Sequence, residues 1–259
     1  MRGNEVTRAI SRLFKQALLA GEAGDRERHH ELLQRCIELD DGTDAGLFGD
    51  GDLPPLRLRP YLILAEELRN QGDIDRALAL LIRASERWPA DSDLLLVLAE
   101  CYKDQKDWER AAQAYRASFD RRQDALVCCL LASVLDKLGR HHESWWWLRH
   151  TLVVDPDYEE AHYNLGCIDV RRGDLDAAEQ RFRRAIELDP AYAIAHYQLG
   201  DLLLTRAVAT PDPTAHHCWR PALEYLSRAA ELAPADERPR ILLAAMRREA
   251  ARANQPDQS

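Results

Sequence analysis

The sequence predicts an all-α fold, a right-handed superhelical solenoid of antiparallel helix pairs, and three observations carry that expectation. A leucine returns at intervals of 34, 33, 34 and 34 residues, at Leu64, Leu98, Leu131, Leu165 and Leu199, each followed by a small residue: Ala65, Ala99, Ala132, Gly166 and Gly200. Small residues return again thirteen positions later, at Ala77, Ala111, Ser144, Ala178 and, past a ten-residue insertion, Ala222; seven further on stand Ala84, Ser118, Thr151, Ala185 and Ala229. Between those two series a bulky side chain recurs, as Leu81, Tyr115, Leu148, Phe182 and Leu226. Small residues let two helices cross closely and the large one fills the space beside the crossing, so each period reads as two helices and a tight turn.

Taken in order, residues 1–40 predict a degenerate leading pair: 5–20 places Ile10, Leu13, Phe14, Ala17 and Leu18 on one face, and 25–39 does the same with Leu32, Leu33, Cys36 and Ile37. Residues 41–57 read as a mobile acidic linker, because Asp40 to Pro55 holds Asp41, Asp44, Asp50, Asp52 and four glycines without one basic residue. Five units follow over 58–236, at 58–91, 92–124, 125–158, 159–192 and 193–236. Gly72, Gly139 and Gly173 sit where a first helix must end in positive φ. Pro89, Pro156, Pro190 and Pro234 close second helices, and Gln123 stands in for proline in the unit that is one residue short. The insertion near 206–216, with Thr210-Pro211-Asp212-Pro213, predicts a surface loop, either a passive connector or a partner contact. Residues 237–253 suit a capping helix whose Arg247, Arg248 and Arg252 complement its dipole, and 254–259 a disordered tail.

The stretch His162-Tyr163-Asn164-Leu165-Gly166, continued by Gly173-Asp174, Ala178, Phe182, Ala185 and Glu187-Leu188-Asp189-Pro190, resembles the tetratricopeptide repeat family. The resemblance covers the five units, and it implies a module that binds protein segments. One departure is Asp169, which stands where other units carry Leu68, Tyr102, Leu135 and Leu203.

Composition bounds the function. A formal net charge of −9 argues against nucleic acid, which needs a concentrated basic surface. No window reaches the apolar length of a membrane span, and Arg8, Arg12 and Lys15 interrupt the first candidate leader, so the expectation is a cytoplasmic chain without membrane insertion. Cys36, Cys101, Cys128, Cys129, Cys167 and Cys218 form no CxxC pair and read as reduced thiols. No glycine-rich phosphate loop, HExxH, GxSxG or zinc spacing is present, so no catalytic residue, metal or cofactor is expected. The adjacent pairs His29-His30, His141-His142 and His216-His217 diverge by roughly 100° on a helix and do not readily share one metal.

The resemblance also implies which first-helix positions face a ligand across a concave groove. Glu66, Arg69, Glu100 and Lys103 make one half charged. Tyr163, Asn164, Cys167, Val170, Ile194, Tyr197, Asp201, Leu204 and Ile241 make the other more apolar. Tyr163 and Tyr197, one period apart, read either as interface anchors or as filler between neighbouring first helices. The carboxylate clamp that some relatives use on chaperone tails is absent, since only Asn164 fits it, with Cys129, Ser133, Ile194 and Gln198 at the partner positions. Trp145-Trp146-Trp147 spans about 200° of helix, so Trp146 is expected on the convex side, as a contact for a partner or a second copy, or lying flat over Arg149 or His150. The expected function is a non-enzymatic adaptor, scaffold or chaperone-like module that takes a peptide or helix of a partner protein. The alternatives are a regulatory subunit of an enzyme complex and, less well supported, a metal- or thiol-dependent enzyme using Cys129, Cys167 or His216-His217-Cys218.

Overall fold

Why the chain turns back on itself every seventeen or so residues is visible at each inter-helix turn. In a computed structural model that describes residues 3–42, 55–209 and 219–253, thirteen helices and no strand are found among the described residues. They are α1 (Gly3–Glu22), α2 (Arg26–Asp41), α3 (Pro55–Asn70), α4 (Ile74–Ser85), α5 (Ser92–Asp104), α6 (Trp108–Arg121), α7 (Ala125–Lys137), α8 (His141–Val154), α9 (Glu159–Arg172), α10 (Leu175–Leu188), α11 (Ala193–Ala209), α12 (Arg220–Leu232) and α13 (Arg238–Ala253). First helices end in a left-handed residue: Gly72, Gly139 and Gly173 have φ of 84°, 74° and 80°, and Lys106 takes the same place at 62°. An aspartate stands before the next helix after Gly72, Lys106 and Gly173, whereas Arg140 follows Gly139. Asp107 accepts from Arg110 N and Asp174 from Ala177 N, both at 3.1 Å, which satisfies amides that a helix start leaves unpaired.

The small and bulky series lie at the seams between helices. Ala77, Ala111, Ala178 and Ala222 are fully buried, as are Leu81, Tyr115, Phe182 and Leu226. Burying each of those large side chains contributes roughly 1.5–3 kcal/mol. A Cβ added to Gly166 would stand 2.7 Å from Phe182 Cε1, and one added to Gly200 would stand 2.7 Å from Leu226 Cγ, so glycine is a packing requirement at both positions.

The chain divides into two compact units, Met1–Ser144 and Trp145–Ser259. In the first, Val6, Ile10 and Phe14 of α1, Leu33 and Ile37 of α2, Tyr61 and Leu64 of α3, Leu81 of α4 and Leu94 of α5 belong to one core. Two expectations about the linker are corrected here. Asp40 and Asp41 are the last residues of α2, and Leu56 and Arg57 lie in the first turn of α3. Asp40 and Arg57 are each 1% exposed and pair with each other; Arg87 also pairs with Asp40, and Tyr61 Oη donates to Asp40 at 3.0 Å and to Asp41 at 2.6 Å. A carboxylate facing two guanidiniums and a phenol can be buried, whereas the same aspartate in an acidic run reads as solvated. The rest of the expected linker, residues 43–54, lies outside the described residues.

In the second unit, Ala178, Phe182, Leu199 and Leu202 form one core cluster, and Ala222, Leu226, Leu243 and Met246 another. Asp169, the departure from the repeat pattern, is buried and accepts from Arg181 Nε at 2.7 Å. The insertion expected near 206–216 begins later than placed: 206–209 are the last turn of α11, where Arg206 pairs with Asp176 and Glu179. Residues 210–218, and with them His216-His217-Cys218, lie outside the described residues, as do 254–259.

Candidate functional site

The first-helix face of the first unit is occupied by its own charges. Glu100 on α5 receives Arg69 of α3 at 3.1 Å, Lys103 at 2.7 Å and the hydroxyl of Tyr115, and Arg69 also reaches Asp104 at 3.3 Å. Burial alone would raise the Glu100 pKa; hydrogen bonds from Lys103 and Tyr115, and the charges of Lys103 and Arg69, outweigh it and hold the carboxyl below its ordinary value. Of the four residues expected there, only Glu66 is exposed. Arg69, Glu100 and Lys103 answer one another and present little unmatched charge to a ligand.

The second unit differs. On α9, Tyr163, Cys167 and Val170 fall one helical turn apart; on α11, Tyr197, Asp201 and Leu204 do the same, and Arg238 and Ile241 continue the row on α13. Tyr163 is half-buried, edge-on to Tyr192 at 5.4 Å and tilted against Phe182 at 5.9 Å, and burial pushes its phenol pKa up. Tyr163 and Cys167 therefore support the seam, packing on the cluster of Phe182 and Leu199. Tyr197 carries the Arg238 guanidinium 4.9 Å from its ring centroid. Leu204 rests on the Leu226 and Met246 cluster. Asn164 and Ile194 are half-buried, while Val170 is 40% and Ile241 62% exposed, so apolar surface remains open on this side. Asp201 lies between Tyr197 and Leu204 in sequence, half-buried, and burial raises its pKa. Tyr192 and Gln198, both in contact with Tyr163, were not among the expected residues. Tyr192 belongs to the junction between units rather than to a first-helix row, so the period alone does not mark it.

Trp146 is 52% exposed, edge-on to Trp147 at 5.0 Å and tilted against His150 at 5.1 Å. The residue is thus exposed, as expected, and its ring leans on His150 at a tilt of 43° rather than lying flat over it. Arg149 instead covers Trp145, at 4.9 Å, with Arg172 of α9 also over that ring at 5.2 Å.

Burial raises the thiols of Cys36 and Cys101 to about 11 and that of Cys128 to about 12, away from the thiolate that nucleophilic or metal chemistry requires. Among the described residues, no group of three or more His, Cys, Asp or Glu side chains could hold a metal ion. No helix among them is long and apolar enough to cross a membrane.

Comparison with known proteins agrees with the geometry. A family profile described as Tetratricopeptide repeat matches residues 68–141, and one described as TPR repeat matches 166–205. No curated protein matches the sequence. Among solved structures, a tetratricopeptide repeat protein from Parabacteroides merdae is similar with a TM-score of 0.62 and 16% identity, over 92% of this chain and 99% of that one. MamA from Desulfovibrio magneticus is similar at 0.55 and 18% identity, over 69% and 96% of the two chains. YrrB, described as having an unusual peptide-binding site, is similar at 0.51 and 22% identity, over 70% and 88%. At these identities the likeness concerns the fold.

Proposed function

We propose that this chain, which belongs to the tetratricopeptide repeat family, is a non-enzymatic adaptor or scaffold that binds a peptide or helix of a partner protein on the first-helix side of its second unit. One observation carries the choice of surface: Val170 and Ile241 stay exposed in a row with half-buried Tyr163, Tyr197 and Leu204, while the matching charged row of the first unit is matched within itself. Aromatic and aliphatic side chains held on rigid helices lose little entropy when a partner covers them, which is how such surfaces gain affinity. An amphipathic helix or an extended segment with apolar anchors suits the row. The repeat fold, as in YrrB with its described peptide-binding site, supports a binding role of this kind.

The test is affinity purification from the native cell with wild type and with Val170→Asp combined with Ile241→Asp, two surface changes that leave the cores intact. A partner captured by wild type and lost by the double variant supports the reading; a partner set identical for both removes it. Trp146 favours a second surface for a partner or a second copy of the chain, since it is a large apolar residue left exposed. Trp146→Ser losing a partner that the double variant keeps would assign that partner to α8.

A further inference from the structure

Three buried or half-buried carboxylates of the helix seams are matched by cations or a phenol, while a few half-buried acids among the described residues, Glu159 and Glu160 at the start of α9 and Asp201 in the middle of α11, are not. Asp40 faces Arg57, Arg87 and Tyr61; Glu100 faces Arg69, Lys103 and Tyr115; Asp169 faces Arg181. Asp201 stands in the candidate row. It is half-buried on α11, and among the described residues neither an ion pair nor a hydrogen bond reaches its carboxylate. The cation of the row, Arg238, is committed elsewhere: it lies over the Tyr197 ring and holds Asp236 through Nε at 3.0 Å and Nη2 at 2.8 Å.

Leaving a carboxylate partly desolvated and unmatched costs stability, and a bound cation would recover that cost through a charge-assisted hydrogen bond. The surroundings suit the stem of such a cation as well as its head. Tyr197 lies one turn before Asp201 and Leu204 one turn after, and the exposed Ile241 continues the row on α13. We propose that the first-helix side of the second unit recognises a basic segment, presenting one lysine or arginine between apolar residues, with the cation on Asp201 and the apolar flanks on Tyr197, Leu204 and Ile241. This rests on the groove reading given above and adds the charge of the partner to it. An acidic or an uncharged segment would leave Asp201 buried and unmatched in the complex, which disfavours both.

The test is selection of a displayed library of random dodecapeptides on the immobilised full chain. The most enriched peptide is then synthesised with a fluorophore and its Kd measured by anisotropy. Four proteins are compared: wild type, Asp201→Asn, Val170→Ser with Ile241→Ser, and Trp146→Ser. The expected peptide carries a Lys or Arg flanked by apolar residues, binds Asp201→Asn about tenfold or more weakly, binds the serine double variant weakly, and is indifferent to Trp146→Ser. An enriched peptide without a cation, or one that the serine double variant loses and Asp201→Asn keeps, overturns the charge assignment while leaving the groove reading in place. No enrichment, or a peptide that only Trp146→Ser loses, overturns both. Asp201→Asn is near-isosteric, and a melting temperature at or above that of wild type shows that its loss of binding is not loss of fold.

Discussion

Single residues set the sign of several effects in this chain, and the two half-buried acids of the candidate faces have opposite ones. Asp201 has a raised folded pKa, so the folded state holds its proton more tightly than the unfolded state does. Its unfavourable contribution is therefore present above the folded pKa and is relieved as pH falls through it. Asp201→Asn is expected to raise the melting temperature at pH 7, with the gap to wild type closing as the pH is lowered; thermal melts across that range check it. Glu100, held low, behaves the other way: its contribution stabilises above the unfolded pKa and is lost as pH falls through the folded one. Lys106 is a simpler case. It takes φ of 62° where the neighbouring units use glycine, and a Cβ is strained there. Lys106→Gly should stabilise by about 0.5–1 kcal/mol in denaturant unfolding.

At the scale of elements, the crossings of first and second helices decide which residues are tolerated. Gly166→Ala adds a methyl 2.7 Å from the ring of Phe182, itself fully buried, so the better helix propensity of alanine is outweighed by overpacking. A net destabilisation of about 1–2 kcal/mol is expected from chemical denaturation. The alanines at the matching positions, Ala65, Ala99 and Ala132, are fully buried as well. Helix starts matter too. The aspartates that cap α6 and α10 use part of the chain's acidic excess, which composition alone assigns to a linker and to solvated faces.

For the whole molecule, α1 and α2 share one core with α3 to α5, and the ionic cluster of Asp40, Arg57 and Arg87 ties α2 to the helices that follow. Asp40→Asn leaves two guanidiniums facing a neutral amide in a buried site, and about 3–5 kcal/mol of stability should be lost, read from the denaturant midpoint. Removing residues 1–42 uncovers Tyr61, Leu64 and Leu68, and should erase amide exchange protection in α3 and α4.

Much of this was legible in the sequence, since local periodicity and residue size are properties of the chain itself. A leucine with a small neighbour every 34 residues, glycine after the first helix and proline after the second determine where helices form, stop and cross. The candidate rows follow from that register. Tertiary structure alone decided which charges are matched. Asp40 meets Arg57 and Arg87 from 17 and 47 residues away, Asp169 meets Arg181 from the next helix, and Asp201 meets no cation among the described residues. Pairing of charges depends on distances across seams, which fall off too steeply for a sequence pattern to report, whereas the helical period is written in every turn.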